Sequence, residues 1–175
     1  MAAIGRGVEA EVVARARARG LRLATAESST GGLIGHRLAA VPGASAVLAG
    51  GITAYADGAK ESLLGVAASV LAERGAVSAE VAAAMARGAR NAFGAALALA
   101  ETGVAGPGAS GTKPAGLYYL AAVGPGCELS ERALFGGERQ ERQWAASEAA
   151  LRLALVCLDG AAAGGPPPPG GTGSS

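Results

Sequence analysis

Apolar residues from Gly7 to Arg19 recur at helical spacing, with Glu9, Glu11, Arg15, Arg17 and Arg19 set among Val and Ala. Gly20 follows as a C′ glycine, so the pattern predicts an amphipathic helix over 7–19. Leu21 to Ala26 alternates and predicts a first strand. After Glu27-Ser28-Ser29-Thr30-Gly31-Gly32 a helical apolar run extends through Ala40, until Val41-Pro42-Gly43 breaks it. Ala49 to Ala56 predicts a second strand, Asp57 caps a helix through Leu64, and Ala68 to Arg74 predicts another. Ser78 stands as N-cap, with Glu80 in the first turn, before an Ala-rich helix over 79–92. Ala95 to Ala100 is short and wholly apolar, the mark of a buried strand.

Thr102 to Pro114 reads as a Gly/Pro/Ser loop. Gly116 to Val123 and Glu128 to Phe135 predict two strands joined at Gly124-Pro125-Gly126, too short a link for a crossover helix, hence antiparallel. Glu138 to Leu158 is a long last helix, and residues 160–175 form a Gly/Pro/Ser tail that we expect to be disordered. Strands alternating with helices, then a hairpin and a helix, give an α/β domain over 1–159. The expected architecture is a three-layer α/β/α sandwich around a mixed, mostly parallel sheet of about five to six strands.

Half of the residues are apolar but only 3% are aromatic, so the core must be built from Ala, Val and Leu in close-packed elements. With 15 basic against 14 acidic residues there is no field to hold nucleic acid. No apolar run reaches the roughly 18 residues of a membrane span, and Met1 to Gly20 has no signal-peptide core. The expectation is a soluble cytoplasmic protein. The two cysteines, Cys127 and Cys157, argue against a disulfide framework. Cys157 reads as a buried small hydrophobe, and nothing marks Cys127 as reactive. No metal-ligand spacing is present, and no cofactor is expected.

Chemistry concentrates at three places. The first is the joint Glu27 to Gly32, where hydroxyls and glycines precede a helix whose free N–H groups can hold an anion or oxyanion. Its plain structural reading is an N-cap loop, with Glu27 either capping or meeting substrate. The second is Lys60, one of only two lysines in an arginine-rich chain. A partly buried lysine can lose its proton and act as a base, which arginine cannot. His36 is the sole imidazole, so a Ser–Lys pair uses this chain better than Ser–His, with Tyr55 able to relay the proton. The third is the loop Thr102 to Gly108, with Lys113 beyond it as a possible phosphate ligand. Gly106 to Gly111 matches G-x-G-x-x-G in form, but it precedes a strand and not a helix, which excludes a dinucleotide fingerprint. Glu138, Arg139, Glu141 and Arg142 read as a solvated helix face.

Taken together, Ala26 to Gly32, Val41 to Ser45, Tyr55 with Lys60, Gly75 to Ser78, Thr102 to Gly108 and Lys113 to Gly116 resemble, in order, the CinA C-terminal domain family. That family includes stand-alone amidases that convert nicotinamide mononucleotide to nicotinate mononucleotide and ammonia. The resemblance implies Ser28 as nucleophile, Lys60 as its base and Tyr55 as helper. It implies substrate contacts at Thr30, Gly31, Gly32, Thr102, Gly103, Ala105 and Gly106, and beside these Glu27, Ser29 and Lys113 are candidate contacts from their own chemistry, Glu27 equally a cap and Lys113 equally a solvent-facing loop lysine. It also implies a homodimer or higher homo-oligomer. Ser29 stands where the family carries cysteine, and Ala54-Tyr55-Ala56-Asp57 stands for its T-Y-S-N segment.

Overall fold

The computed structural model describes residues 5–160. The expected tail therefore lies, beyond Gly160, outside the described residues. Helix α1 (Val8–Ala18) leads to β1 (Leu23–Glu27), α2 (Leu33–Ala39), a short 3₁₀ turn (Ala44–Ala46) and β2 (Leu48–Thr53). Then come α3 (Asp57–Leu64), α4 (Ala68–Arg74), α5 (Ala79–Phe93) and β3 (Leu97–Gly103). The hairpin β4 (Leu117–Gly124) and β5 (Cys127–Leu134) precedes α6 (Arg139–Gly160).

The five strands lie in the order β2-β1-β3-β4-β5. β1 pairs parallel with both β2 and β3, whereas β3–β4 and β4–β5 are antiparallel. Four of the five strands thus point one way, and the sheet is mixed as expected.

Large and small side chains alternate across this sheet. Leu23, Leu97, Leu99, Tyr118 and Leu120 pack towards α1, α2 and α6. Ala24, Ala26, Ala98, Ala100 and Ala121 face α3, α4 and α5, where α5 contributes Ala82, Ala86 and Ala89. The chain's shortage of aromatics is met by letting an alanine helix lie close on an alanine sheet face. Ser78 caps α5 as the pattern predicts, its hydroxyl accepting from Val81 N–H.

Two expectations fail here. β3 runs on through Thr102 and Gly103, which were expected in a loop; they pair with Tyr119 and Tyr118 of β4. The Tyr118 ring lies against Gly103, where a Cβ would come within 2.4 Å of Cδ1, so only glycine fits. The cysteines are also joined: Cys127 opens β5, Cys157 sits near the end of α6, and packing of α6 on the sheet brings their Cα atoms to 5.5 Å. That is a bridging distance. Among the described residues, no helix is long and apolar enough to cross a membrane.

Candidate active site

Because β1, β2 and β3 are parallel, their carboxyl ends open on one edge of the sheet, where α/β folds place ligands. β1 ends in Glu27, and the chain turns through Ser28 and Ser29 into α2. The turn is organised by two carboxyl groups. Glu27 accepts hydrogen bonds from the N–H of Gly32 (3.1 Å), Ile34 (2.9 Å) and Gly35 (2.8 Å) and so caps α2. Glu101 of β3 is fully buried. It accepts from Ser28 N–H (2.5 Å) and Thr30 N–H (2.9 Å) on one oxygen and from the Ser29 hydroxyl (3.0 Å) on the other. Burial pushes the Glu101 pKa up, against the lowering pull of the Thr30 and Ser28 hydrogen bonds.

A cleft of about 360 Å³ opens beside this turn. Ser28 and Ser29 line it from β1, Lys60 from α3, Thr102 to Gly106 from the end of β3, and Arg139 from α6. Ser29 is held by Glu101, whereas the Ser28 hydroxyl has no hydrogen-bond partner among the described residues. Lys60 is only 1% exposed, and its Nζ donates to the Tyr55 carbonyl (3.1 Å) and to Asp57 Oδ1 (3.4 Å). Neither serine hydroxyl is among its hydrogen-bond partners. α6 braces the cleft walls: Gln143 donates to Ser29 O (2.6 Å), Arg142 to Ala105 O (3.1 Å) and Arg139 to Gly106 O (2.6 Å).

The chain matches the model of the CinA C-terminal domain over residues 6–158. It belongs to the CinA C-terminal domain family. A CinA-like protein of Anaeromyxobacter dehalogenans is 54% identical over 148 residues, covering 82% of this chain and 36% of that protein. A CinA-like protein of Geobacter sulfurreducens is 56% identical over 125 residues, covering 70% of this chain and 30% of that one. The chain thus spans about a third of the length of these curated relatives. Among solved structures, the competence/damage inducible protein CihA of Agrobacterium tumefaciens is 37% identical with a TM-score of 0.83, covering 87% of this chain and 93% of that one. A CinA superfamily protein of Escherichia coli is 32% identical with the same TM-score, covering 87% and 89%.

Set against the sequence expectations, the CinA fold brings Ser28, Ser29, Tyr55, Lys60, Thr102, Gly103, Ala105 and Gly106 to one cleft. It does not bring Glu27, Thr30, Gly31, Gly32 or Lys113 there. Glu27 is spent on capping. The N–H groups of Thr30, Gly31 and Gly32 are taken by Glu101, the Ser28 carbonyl and Glu27, so they offer no oxyanion hole. The N–H groups of Ser29, Ala105 and Gly106 are left without acceptors among the described residues. Lys113 Nζ instead ties down the carbonyls of Arg74 and Val77. Tyr55 meets Lys60 through its carbonyl; its phenol accepts from Arg139 (3.0 Å) and is 62% exposed.

Two residues that shape this cleft and its serine turn are not marked by the sequence pattern. The charge pattern puts Arg139 on a solvated helix face, because a helix pattern does not reveal which loop will pack against it. Glu101 lies in β3, one residue beyond Ala100, where the apolar run ends. One more residue of the Leu97-Ala98-Leu99-Ala100 alternation places it on the Leu face, beside Glu27. Among the described residues, no group of three or more His, Cys, Asp or Glu could hold a metal ion.

Proposed function

We propose that this CinA domain is an amidohydrolase that converts nicotinamide mononucleotide to nicotinate mononucleotide and ammonia. The observation that carries the reading is the unpartnered Ser28 hydroxyl sharing a cleft with the buried Lys60 amine. Ser28 attacks the carboxamide carbon, and its proton passes to Lys60 Nζ. The amine returns that proton to the departing ammonia, leaving a nicotinoyl ester on Ser28. Lys60 then takes a proton from water, which hydrolyses the ester and restores the serine. A positioned base contributes a factor of about 10²–10⁴.

The oxyanion is best met by the N–H groups of Ser29, Ala105 and Gly106, which have no competing acceptor. Such donors contribute about 3–4 kcal/mol to a transition state. Arg139, which joins the cleft wall to Tyr55, supplies the cation for the substrate phosphate. Ser28 rather than Ser29 is the nucleophile, since the Ser29 hydroxyl is already bound to Glu101.

The test is ammonia release from nicotinamide mononucleotide by the purified chain. Release by the wild type, with Ser28→Ala and Lys60→Ala each reduced by about 10³-fold or more, supports the reading. An active Ser28→Ala beside an inactive Ser29→Ala would move the nucleophile by one residue. A second reading, a module that binds the nucleotide without turnover, is favoured by one observation. Asp57, where the family has an amide, puts a carboxylate 3.4 Å from the amine that must serve as base. Binding of the nucleotide without ammonia release would select it.

A further inference from the structure

We infer that Glu101 is a positioning residue that forms with Glu27 a buried acid pair carrying one proton, shared through the Thr30 hydroxyl, and that this proton holds the serine turn in shape. The inference deepens the amidase reading, since the turn it concerns presents Ser28.

The argument is a count of hydrogens. Thr30 Oγ1 lies 2.6 Å from Glu27 Oε2 and 2.8 Å from Glu101 Oε1. A hydroxyl has one proton to give. With both carboxyls ionised, one of these two contacts would set lone pair against lone pair in a buried site. One carboxyl proton is therefore required by the pair. Glu27 takes three N–H groups at the start of α2, where an anion is favoured. Both glutamates are buried, and neither forms an ion pair with a cation among the described residues. A buried pair of carboxyls without a cation keeps one proton between them. In-register pairing of β1 with β3 forces the two groups side by side, because Ala26 faces Ala100 and the next residue on each strand is the glutamate. One carboxyl proton shared along the chain Glu27–Thr30–Glu101, with the Thr30 proton, gives each of the two Thr30 contacts a hydrogen. The chain fixes Thr30, and the Ser28 and Thr30 N–H groups close on Glu101. Ser28 is then aimed at the cleft without a hydrogen bond to its own hydroxyl.

The test is infrared spectroscopy of the whole chain at neutral pH, in water and in heavy water. A carboxylic-acid C=O stretch that is present in the wild type and absent in Glu101→Gln is the expected result. No such band, or a band that survives in Glu101→Gln, overturns the inference. A companion assay compares two variants for ammonia release. Glu101→Ala leaves the Ser28 and Thr30 N–H groups without an acceptor, whereas Glu101→Gln keeps a neutral acceptor and donor. Glu101→Gln is expected to release ammonia at least tenfold faster than Glu101→Ala. A folded Glu101→Gln as inactive as Glu101→Ala, by thermal melting and ammonia release, would overturn it too. Should Glu101→Ala not fold, or the wild type release no ammonia, the infrared comparison still decides the matter, so failure of the amidase reading and failure of this one are told apart.

Discussion

Replacing Arg37 with methionine attacks the joint that holds α1, α2 and α6 together. The guanidinium is 1% exposed and donates to Glu9 at 2.6 Å, Ser147 at 2.8 Å and Glu148 at 2.7 Å. Its Cζ lies 4.3 Å from the Trp144 ring centroid. Methionine keeps most of the length but none of the donors, and it leaves Glu9 charged and buried. Removing one partner of a buried pair costs about 3–5 kcal/mol, and a desolvated cation–π contact adds about 1–2 kcal/mol. These overlap, so the expected loss is about 4 kcal/mol. With a urea slope of about 2 kcal/mol per M for a domain of this size, the midpoint falls by about 2 M. Trp144, the chain's sole tryptophan, reports unfolding by its own emission. The double variant Glu9→Gln/Arg37→Met should recover part of the loss, since no charge is then stranded.

The pH dependence follows from Glu9. Burial works against its charge, but the N–H groups of Glu9, Gly5 and Gly7 and the Arg37 guanidinium bring its pKa from 4.5 to about 2. A folded-state pKa below the unfolded one adds stability that is complete above the unfolded value and drains away as pH falls towards the folded one. The gap between wild type and Arg37→Met should therefore be full near neutral pH and shrink between about 4.5 and 2. A loss below about 1 kcal/mol at neutral pH would refute the reasoning, as would a gap that widens in acid.

Gly88→Ala sets two effects against each other: alanine raises helix propensity by about 1 kcal/mol, but its Cβ would lie 2.0 Å from the Leu64 carbonyl oxygen at the end of α3. The clash is with backbone, so a net destabilisation of about 2 kcal/mol is expected in thermal melts, with reduced activity because α3 carries Lys60. Cys157→Ser opens the Cys127–Cys157 link across 30 residues of chain and should cost about 2–4 kcal/mol, with wild type under reductant showing a similar loss in chemical denaturation. Arg139→Gln removes the cation from the cleft wall and should raise KM for the mononucleotide by about 10- to 100-fold, an effect absent for the dephosphorylated nucleoside.

The order of elements, the parallel start and the antiparallel finish were legible in the one-dimensional pattern. Periodicity, caps and turn lengths are local, and α3 and α4 fall where the sequence pattern places them. The alanine-rich composition likewise announced close packing between α5 and the sheet. Ser28, Lys60 and the Thr102 loop stood out because residue type alone limits what chemistry a position can do.

What the sequence left open depends on distance through space. Glu27 and Glu101 lie 74 positions apart along the chain, and only the register of β1 on β3 makes them one buried acid pair. Arg139 becomes part of the cleft wall because α6, packed along the sheet face, begins beside the loop that follows β3. The disulfide forms because the same helix returns to the start of β5. A side chain's partners, and so its charge state and its freedom to react, are set by which surfaces the core brings together. The pattern along the chain specifies the faces of each element; the packing of those faces decides which hydroxyl is left free.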